Sequence, residues 1–301
     1  VTGTLDGRPR ALAPAAALVG VTAIWGSTFV VIKDLTERIP VTDFLAVRFA
    51  IAAVGLWLLS PRSVARLGPE ARRRAVLLGL VYGSAQLLQT FGLTLVSASV
   101  SGFLTGLYVV LTPVIAALLL RESVARATWL AVGLATTGVA VLTLGGVAIG
   151  VGELVTTLAA AGYALHIVLL GAWSRPGQAM GLAVVQMALI SLLCTVAALP
   201  GGIVLPATAA DWRVMAYLAL ASGALAMLVQ TWAQARLPAT RAAIIMTTEP
   251  VFASLFGVLV DGDPLTPRFL LGAALVMAAM YTAELGPRRS REGAVPRLPG
   301  E

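Results

Sequence analysis

Side chains able to bind a solute or carry charge are scarce in this chain, and their spacing gathers them on a few helical faces. Tyr82, Gln86 and Gln89 follow at steps of four and three, which puts them on one side of a helix. Met227, Gln230 and Gln234 repeat that pattern, and Ser101, Thr105, Tyr108 and Thr112 make a third stripe. Glu249 is the one carboxylate near the middle of a long apolar run, and His166 lies one turn after Tyr163 in another. Amides and hydroxyls of this kind bind a small polar solute, or bond one helix to the next; both readings use the same residues. A carboxylate and an imidazole can in addition hold a proton. Other chemistry is excluded or weakened. The single cysteine, Cys194, and the single histidine make neither a disulfide framework nor a zinc cluster. The only lysine, Lys33, follows Ile32, so there is no Gly-Lys-Ser/Thr phosphate loop, and no cofactor or metal is implied. HExxH, Gly-x-Ser-x-Gly and paired intramembrane aspartates are all missing, which weakens an intramembrane enzyme acting on a lipid.

The elements that must carry these residues follow from composition. Of 301 residues 58% are hydrophobic and only 12% charged, with a mean hydropathy of +0.92. A soluble domain is about a quarter charged, and a membrane-spanning helix uses roughly 20 apolar residues. The pattern predicts an all-α integral membrane protein with ten transmembrane helices, at 12–33, 41–60, 75–95, 98–120, 127–145, 152–173, 179–199, 213–235, 239–260 and 268–286. The first apolar run is too long for a secretory h-region and is read as a span.

With the N-terminus in the cytoplasm, the inner segments hold Arg8, Arg10, the Arg62–Arg74 cluster, Arg121, Arg126, Arg175, Arg236, Arg241 and the tail arginines. Lys33, Arg38, Arg213 and Arg268 are left outside. This is the positive-inside pattern, and it places both termini in the cytoplasm. It also accounts for a net charge of +7 without a nucleic-acid partner. Arg48 lies inside the second span, where snorkelling to the outer interface is the expected behaviour. Pairing with Asp43 or with an anionic solute is the alternative.

The chain repeats itself. Gln89-Thr90-Phe91 matches Gln230-Thr231-Trp232, 141 positions on, and the same offset aligns Ala98 with Ala239, Tyr108 with Glu249 and Thr105 with Met246. Five spans per half is an odd number, so the second half enters the membrane inverted, as in transporters that rock two halves about a midplane site. Segments 1–11 and 287–301 are read as a cytoplasmic N-terminus and a disordered cytoplasmic tail around repeats 12–145 and 152–286. Pro113 and Pro250 are expected to break their helices, at positions that do not correspond between the halves.

Trp25-Gly26-Ser27, Arg48-Phe49, and Gly102-Phe103-Leu104-Thr105-Gly106-Leu107-Tyr108 through Pro113 recur in order with Glu249-Pro250-Val251-Phe252-Ala253, Asp263-Pro264-Leu265-Thr266 and Gly272-Ala273-Ala274-Leu275. In this set the chain resembles the drug/metabolite transporter superfamily, specifically its EamA-type ten-helix members. It departs from the pattern at Asp263, where glutamate is usual, and lacks the tryptophan-containing start of the second half. The resemblance implies a metabolite carrier, often an exporter, with a cavity lined by helices one, three, four, six, eight and nine.

The cavity residues are then expected to be Trp25, Tyr82, Gln86, Gln89, Thr105, Tyr108, Tyr163, His166, Gln230, Gln234, Met246 and Glu249, with Glu249 and His166 as proton-coupling candidates. For each there is a plainer role. Glu249 could organise the backbone break at Pro250, His166 could be a bonded packing residue, and Trp25 could pack rather than stack on solute. Gly79-xxx-Gly83 and Gly102-xxx-Gly106 read as close helix contacts, Trp57, Trp129 and Trp212 as interfacial anchors, and Glu122 and Asp263 as helix-end contacts. Few cavity charges disfavour a multiply anionic solute; a neutral or zwitterionic one such as an amino acid fits better. The expected function is a secondary or facilitative exporter of a small organic metabolite in a bacterial plasma membrane, as monomer or homodimer. Multidrug efflux by the same fold is the alternative, and a non-transporting scaffold is disfavoured by the short loops.

Overall fold

The computed structural model describes residues 8–96, 98–121, 125–143, 150–256, 259 and 266–285. Glu122, Asp263 and the tail 287–301 lie outside them. The described residues are helical and include no strand. In chain order they form α1 (Arg8–Gly26), α2 (Phe29–Thr36), α3 (Val41–Leu59), α4 (Pro69–Leu95), α5 (Ala98–Gly106), α6 (Tyr108–Leu120) and α7 (Arg126–Thr143). Then follow α8 (Val151–Trp173), α9 (Ala179–Ala198), α10 (Ala209–Tyr217), a π-helical segment (Leu218–Leu225), α11 (Ala226–Gln234), α12 (Ala239–Met246), α13 (Glu249–Phe256) and α14 (Pro267–Leu285). Seven runs among the described residues are long and apolar enough to cross a bilayer: Leu12–Thr36, Val41–Leu59, Pro69–Leu95, Val100–Leu120, Val151–Trp173, Ala179–Gly201 and Ala209–Gln234.

α1, α4 and α10 start earlier than hydropathy alone suggests, and in α4 and α10 local contacts hold the polar first turn. In α4 Pro69 occupies the first turn and Arg74 Nε reaches Glu70 at 2.9 Å. In α10 the Thr208 hydroxyl accepts from the Asp211 amide at 3.1 Å.

The two halves do not form separate cores. α3 packs along α9, α4 along α8 and α9, α6 against α8 and α12, α7 along α14, and α1 against α11, α12 and α13. Close approach depends on small residues. A Cβ on Gly79 or Gly83 would stand 3.1 Å from Leu189 or Ile190 of α9. The Gly102 pair does not behave this way, since a Cβ on Gly102 would meet nothing nearer than the Phe29 ring at 4.0 Å. Leu58, Leu59, Leu118, Leu130, Leu192 and Val196 face outward as lipid-facing side chains do, with Trp57, Trp129 and Trp212 half-exposed near the helix ends.

Three runs break mid-helix. The first breaks at Ser27-Thr28, between α1 and α2, and another at Leu107, between α5 and α6. The last breaks at Thr247-Thr248, between α12 and α13. Leu107 and Thr248 are 141 positions apart, so these two breaks correspond between the halves. The prolines do not set them as expected. Pro113 lies inside a continuous α6, past the break. Pro250 stands in the first turn of α13, where its missing N–H costs no helical bond.

At the first and last breaks hydroxyls bond the carbonyls one turn back. Ser27 Oγ donates to Ile24 O at 2.7 Å and Thr28 Oγ1 to Trp25 O at 2.7 Å. Thr247 donates to Ile244 O, and Thr248 Oγ1 donates to Ile245 O at 2.9 Å. The first and last breaks also touch: Thr22 Oγ1 lies 2.7 Å from Thr248 Oγ1. Gly26 sits so close to α13 that a Cβ there would be 2.7 Å from Ala253 N and 2.8 Å from Glu249 O.

That contact is testable. Gly26→Ala forces backbone apart and should cost roughly 1–3 kcal/mol, as overpacking does, whereas Gly102→Ala should be neutral. Melting temperatures of the two purified variants check this, and equal values would contradict the close packing of α1 on α13.

Candidate functional site

The breaks surround a pocket lined by α1, α2, α3, α4, α5, α6, α8, the π segment, α11, α12 and α13. Trp25, Tyr82, Gln86, Gln89, Thr105, Tyr108, Tyr163, His166, Gln230, Met246 and Glu249 all face it. Gln234 does not. It is buried behind the wall, where its Oε1 accepts from Gln230 Nε2 at 3.0 Å and its Nε2 donates to Ile167 O at 3.0 Å. Step-four spacing put Gln230 and Gln234 on one face, but the backbone of α8 captures the second.

One wall is aromatic. The rings of Tyr82 and Tyr163 are 5.8 Å apart, and Tyr82 lies 4.8 Å from the His166 ring and 6.5 Å from Phe49. Tyr82 Oη also accepts from Gln86 Nε2 at 2.7 Å. His166 Nε2 is 2.7 Å from Gln186 Oε1, and Gln186 donates in turn to Leu182 O at 3.1 Å. His166 therefore faces the cavity as part of a bonded packing network.

The hydroxyl stripe on α5 and α6 is different. Ser101, Thr105, Tyr108 and Thr112 are all buried, and among the described residues none has a partner for its hydroxyl. Buried polar groups are normally bonded. Thr105 and Tyr108 open onto the cavity, where a solute or water can bond them.

Glu249 starts α13 and is 8% exposed. The carbonyls of the adjoining break are bonded by Thr247 and Thr248, so the carboxyl is not what holds the break together. Among the described residues, no donor reaches it and no cation pairs with it.

Arg48 was expected at the membrane interface, and the structure places it in the cavity wall instead, 3% exposed. Its Nε donates to Leu218 O at 3.1 Å and an Nη to Ser222 Oγ at 2.8 Å, while its guanidinium lies 5.1 Å from the Phe49 ring centre and 5.7 Å from that of Phe44. Asp43 is not its partner: one carboxylate oxygen accepts from Thr42 and the other from Val204 N at 2.8 Å. The cause is the π segment. A wider i→i+5 turn turns carbonyls away from the helical ladder, and here they become acceptors for Arg48 and for Trp25, whose Nε1 donates to Ser222 O at 3.1 Å. Hydropathy carries no mark of a π turn, so sequence reasoning missed this anchor. It also missed Thr28, Phe29, Ile32, Ile167 and Ser222 as lining residues; the Ser222-Gly223 pair in an apolar helix is the one visible hint.

At one end of the bundle an ionic cluster joins the halves. Arg38 reaches Asp34 at 2.8 Å and Asp211 at 2.9 Å, and Thr208 bonds Asp211 Oδ2 at 2.8 Å. Such solvent-screened pairs add little stability, so they position the α2–α3 connection more than they stabilise the fold.

A helical membrane bundle whose helices break around a pocket of polar and aromatic side chains is the arrangement solute carriers use. The chain belongs to the EamA-like transporter family, which matches residues 13–144 and 150–283, within the drug/metabolite transporter superfamily. It is a multi-pass membrane transporter. A relative from Archaeoglobus fulgidus, described as an uncharacterized transporter, is 30% identical over 274 residues, covering 88% of this chain and 83% of that protein. A solved crystal structure superposes with a TM-score of 0.75 over 91% of this chain and 97% of its own, at 16% identity, a likeness of fold.

The burial of Arg48 without an anionic partner predicts a stability test. A buried charge with no counter-charge carries a desolvation cost that an apolar side chain of similar length does not. Arg48→Met should therefore melt at or above the wild-type temperature in detergent. A drop of many degrees would show that Arg48 is a structural strut.

Proposed function

We propose that this transporter is a secondary or facilitative carrier that exports a small organic metabolite of the amino-acid class by alternating access across a bacterial plasma membrane. It crosses the bilayer ten times, as inverted five-helix repeats over residues 12–145 and 152–286 with both termini in the cytoplasm. The three crossings beyond the seven long apolar runs are α7, the α12–α13 pair and α14.

The observation that carries this reading is the pocket where broken helices meet. Among the described residues it offers amide, hydroxyl and aromatic groups and two ionisable side chains of opposite sign, Arg48 and Glu249. Two opposite charges suit a zwitterion and disfavour a multiply anionic solute, which needs several cations around it. The correspondence of Leu107 with Thr248 supports a rocking mechanism, since each half brings a flexible joint to the same cavity. The aromatic lining by Trp25, Phe29, Tyr82, Tyr108 and Tyr163 favours multidrug efflux as a second reading.

Glu249 is the coupling group in this account, because its carboxyl is unpartnered among the described residues while His166 is bonded to Gln186. Counterflow of labelled leucine into proteoliposomes tests the function, with labelled ethidium as the efflux probe. Wild-type protein should exchange leucine and be accelerated by an imposed pH gradient. At saturating leucine, Glu249→Gln should keep exchange and lose the acceleration, and His166→Gln should keep both. Exchange of ethidium without leucine would overturn the amino-acid reading. Equal acceleration of wild type and Glu249→Gln would remove Glu249 from coupling.

A further inference from the structure

Two buried ionisable side chains of opposite sign face the cavity, and neither has a counter-charge among the described residues. Arg48 spends two of its five N–H donors on Leu218 O and Ser222 Oγ, and its flat faces lie near Phe44 and Phe49; none of these partners is anionic. Glu249 has no bonded or ion-paired partner among the described residues. The two do not pair with each other, although both line one cavity. Tyr82 and Tyr163, with rings 5.8 Å apart, line the same pocket as both. A buried charge with no counter-charge is costly, and a site holding one of each sign, held apart, is electrically completed by a single molecule carrying both.

We infer that the solute binds as a zwitterion in one fixed orientation, its carboxylate on Arg48 and its ammonium on Glu249, spanning the Tyr82–Tyr163 wall. This rests on the carrier reading above and adds which group meets which pole. A guanidinium presents paired donors that match the two oxygens of a carboxylate. A carboxylate beside aromatic faces is the matching site for an ammonium. The Ser222 contact and the Leu218 carbonyl fix the Arg48 fork before solute arrives, so the carboxylate pole is preorganised. The apolar stretches of the wall, Phe29, Ile32, Ile167 and Met246, take an apolar side chain.

The test compares three probes with one carbon skeleton: leucine, 4-methylpentanoate, which lacks the ammonium, and isopentylamine, which lacks the carboxylate. Binding to purified protein in nanodiscs is read by calorimetry and by competition with labelled leucine. Wild type should bind leucine at least tenfold more tightly than either single-charge probe. Arg48→Met should weaken leucine and 4-methylpentanoate at least tenfold and leave isopentylamine unchanged, with partial recovery in Arg48→Lys. Glu249→Gln should weaken leucine and isopentylamine and leave 4-methylpentanoate unchanged. Equal loss for all three probes, or the opposite pairing, overturns the orientation while leucine exchange leaves the carrier standing. A wild-type protein that neither binds nor exchanges leucine sinks both. The wild-type ranking of the three probes decides the matter even if a variant fails to fold.

Discussion

Inside hydrocarbon a backbone N–H or C=O that leaves its helix has no water to turn to, and each one left bare costs several kcal/mol. This chain nevertheless breaks three helices in the middle of its bundle, and the rest of the structure follows from how those breaks are satisfied. At the first and last breaks serine and threonine hydroxyls bond the carbonyls of Ile24, Trp25, Ile244 and Ile245. Gly26 lets the first break lie directly on the last, and Thr22 ties them together. With the backbone accounted for locally, the side chains around the breaks are free to face inward. The cavity is what that arrangement leaves between them.

The same constraint explains where the charges sit. A carbonyl turned out of the helical ladder is a better acceptor for a neighbouring guanidinium than one already bonded inside a straight α-helix. The π segment supplies Leu218 O and Ser222 to Arg48 and Ser222 O to Trp25, and so holds both side chains at the same wall. Across the cavity Glu249 begins a new helix, where the N-terminal end of α13 favours a negative charge. Backbone irregularity thus positions both poles, one beside a widened turn and one at a helix start. Under the proposed alternating access, the breaks that place Trp25, Tyr108 and Glu249 are the joints such a motion would use.

Much of this was legible in the sequence, for physical reasons. Lipid-facing surface demands long apolar runs, so the helical segments could be read from hydropathy, and an intramembrane carboxylate or glutamine is costly enough that Tyr82, Gln86, Gln230 and Glu249 stood out. The repeat offset of 141 relates the two corresponding breaks, but proline marks neither. Proline marks a lost donor, whereas the first and last breaks are held by hydroxyl caps, and Gly26 brings them into close contact. Arg48 and Gln234 went the other way for a single reason. Their environment is set by backbone carbonyls of another helix, Leu218 for one and Ile167 for the other, and nothing in their own neighbourhood of sequence records those partners.

The central claim, that this cavity is the solute site and opens alternately to each side, is tested most directly by thiol accessibility. Cys194 is the only native cysteine and is buried, so a Cys194→Ala background leaves the protein silent to thiol reagents. A cysteine placed at Thr105, on the cavity wall, is then exposed to membrane-impermeant maleimide added to either side of oriented vesicles. The account predicts labelling from both sides and protection from both by leucine. Labelling from one side only, or labelling indifferent to leucine, would contradict it.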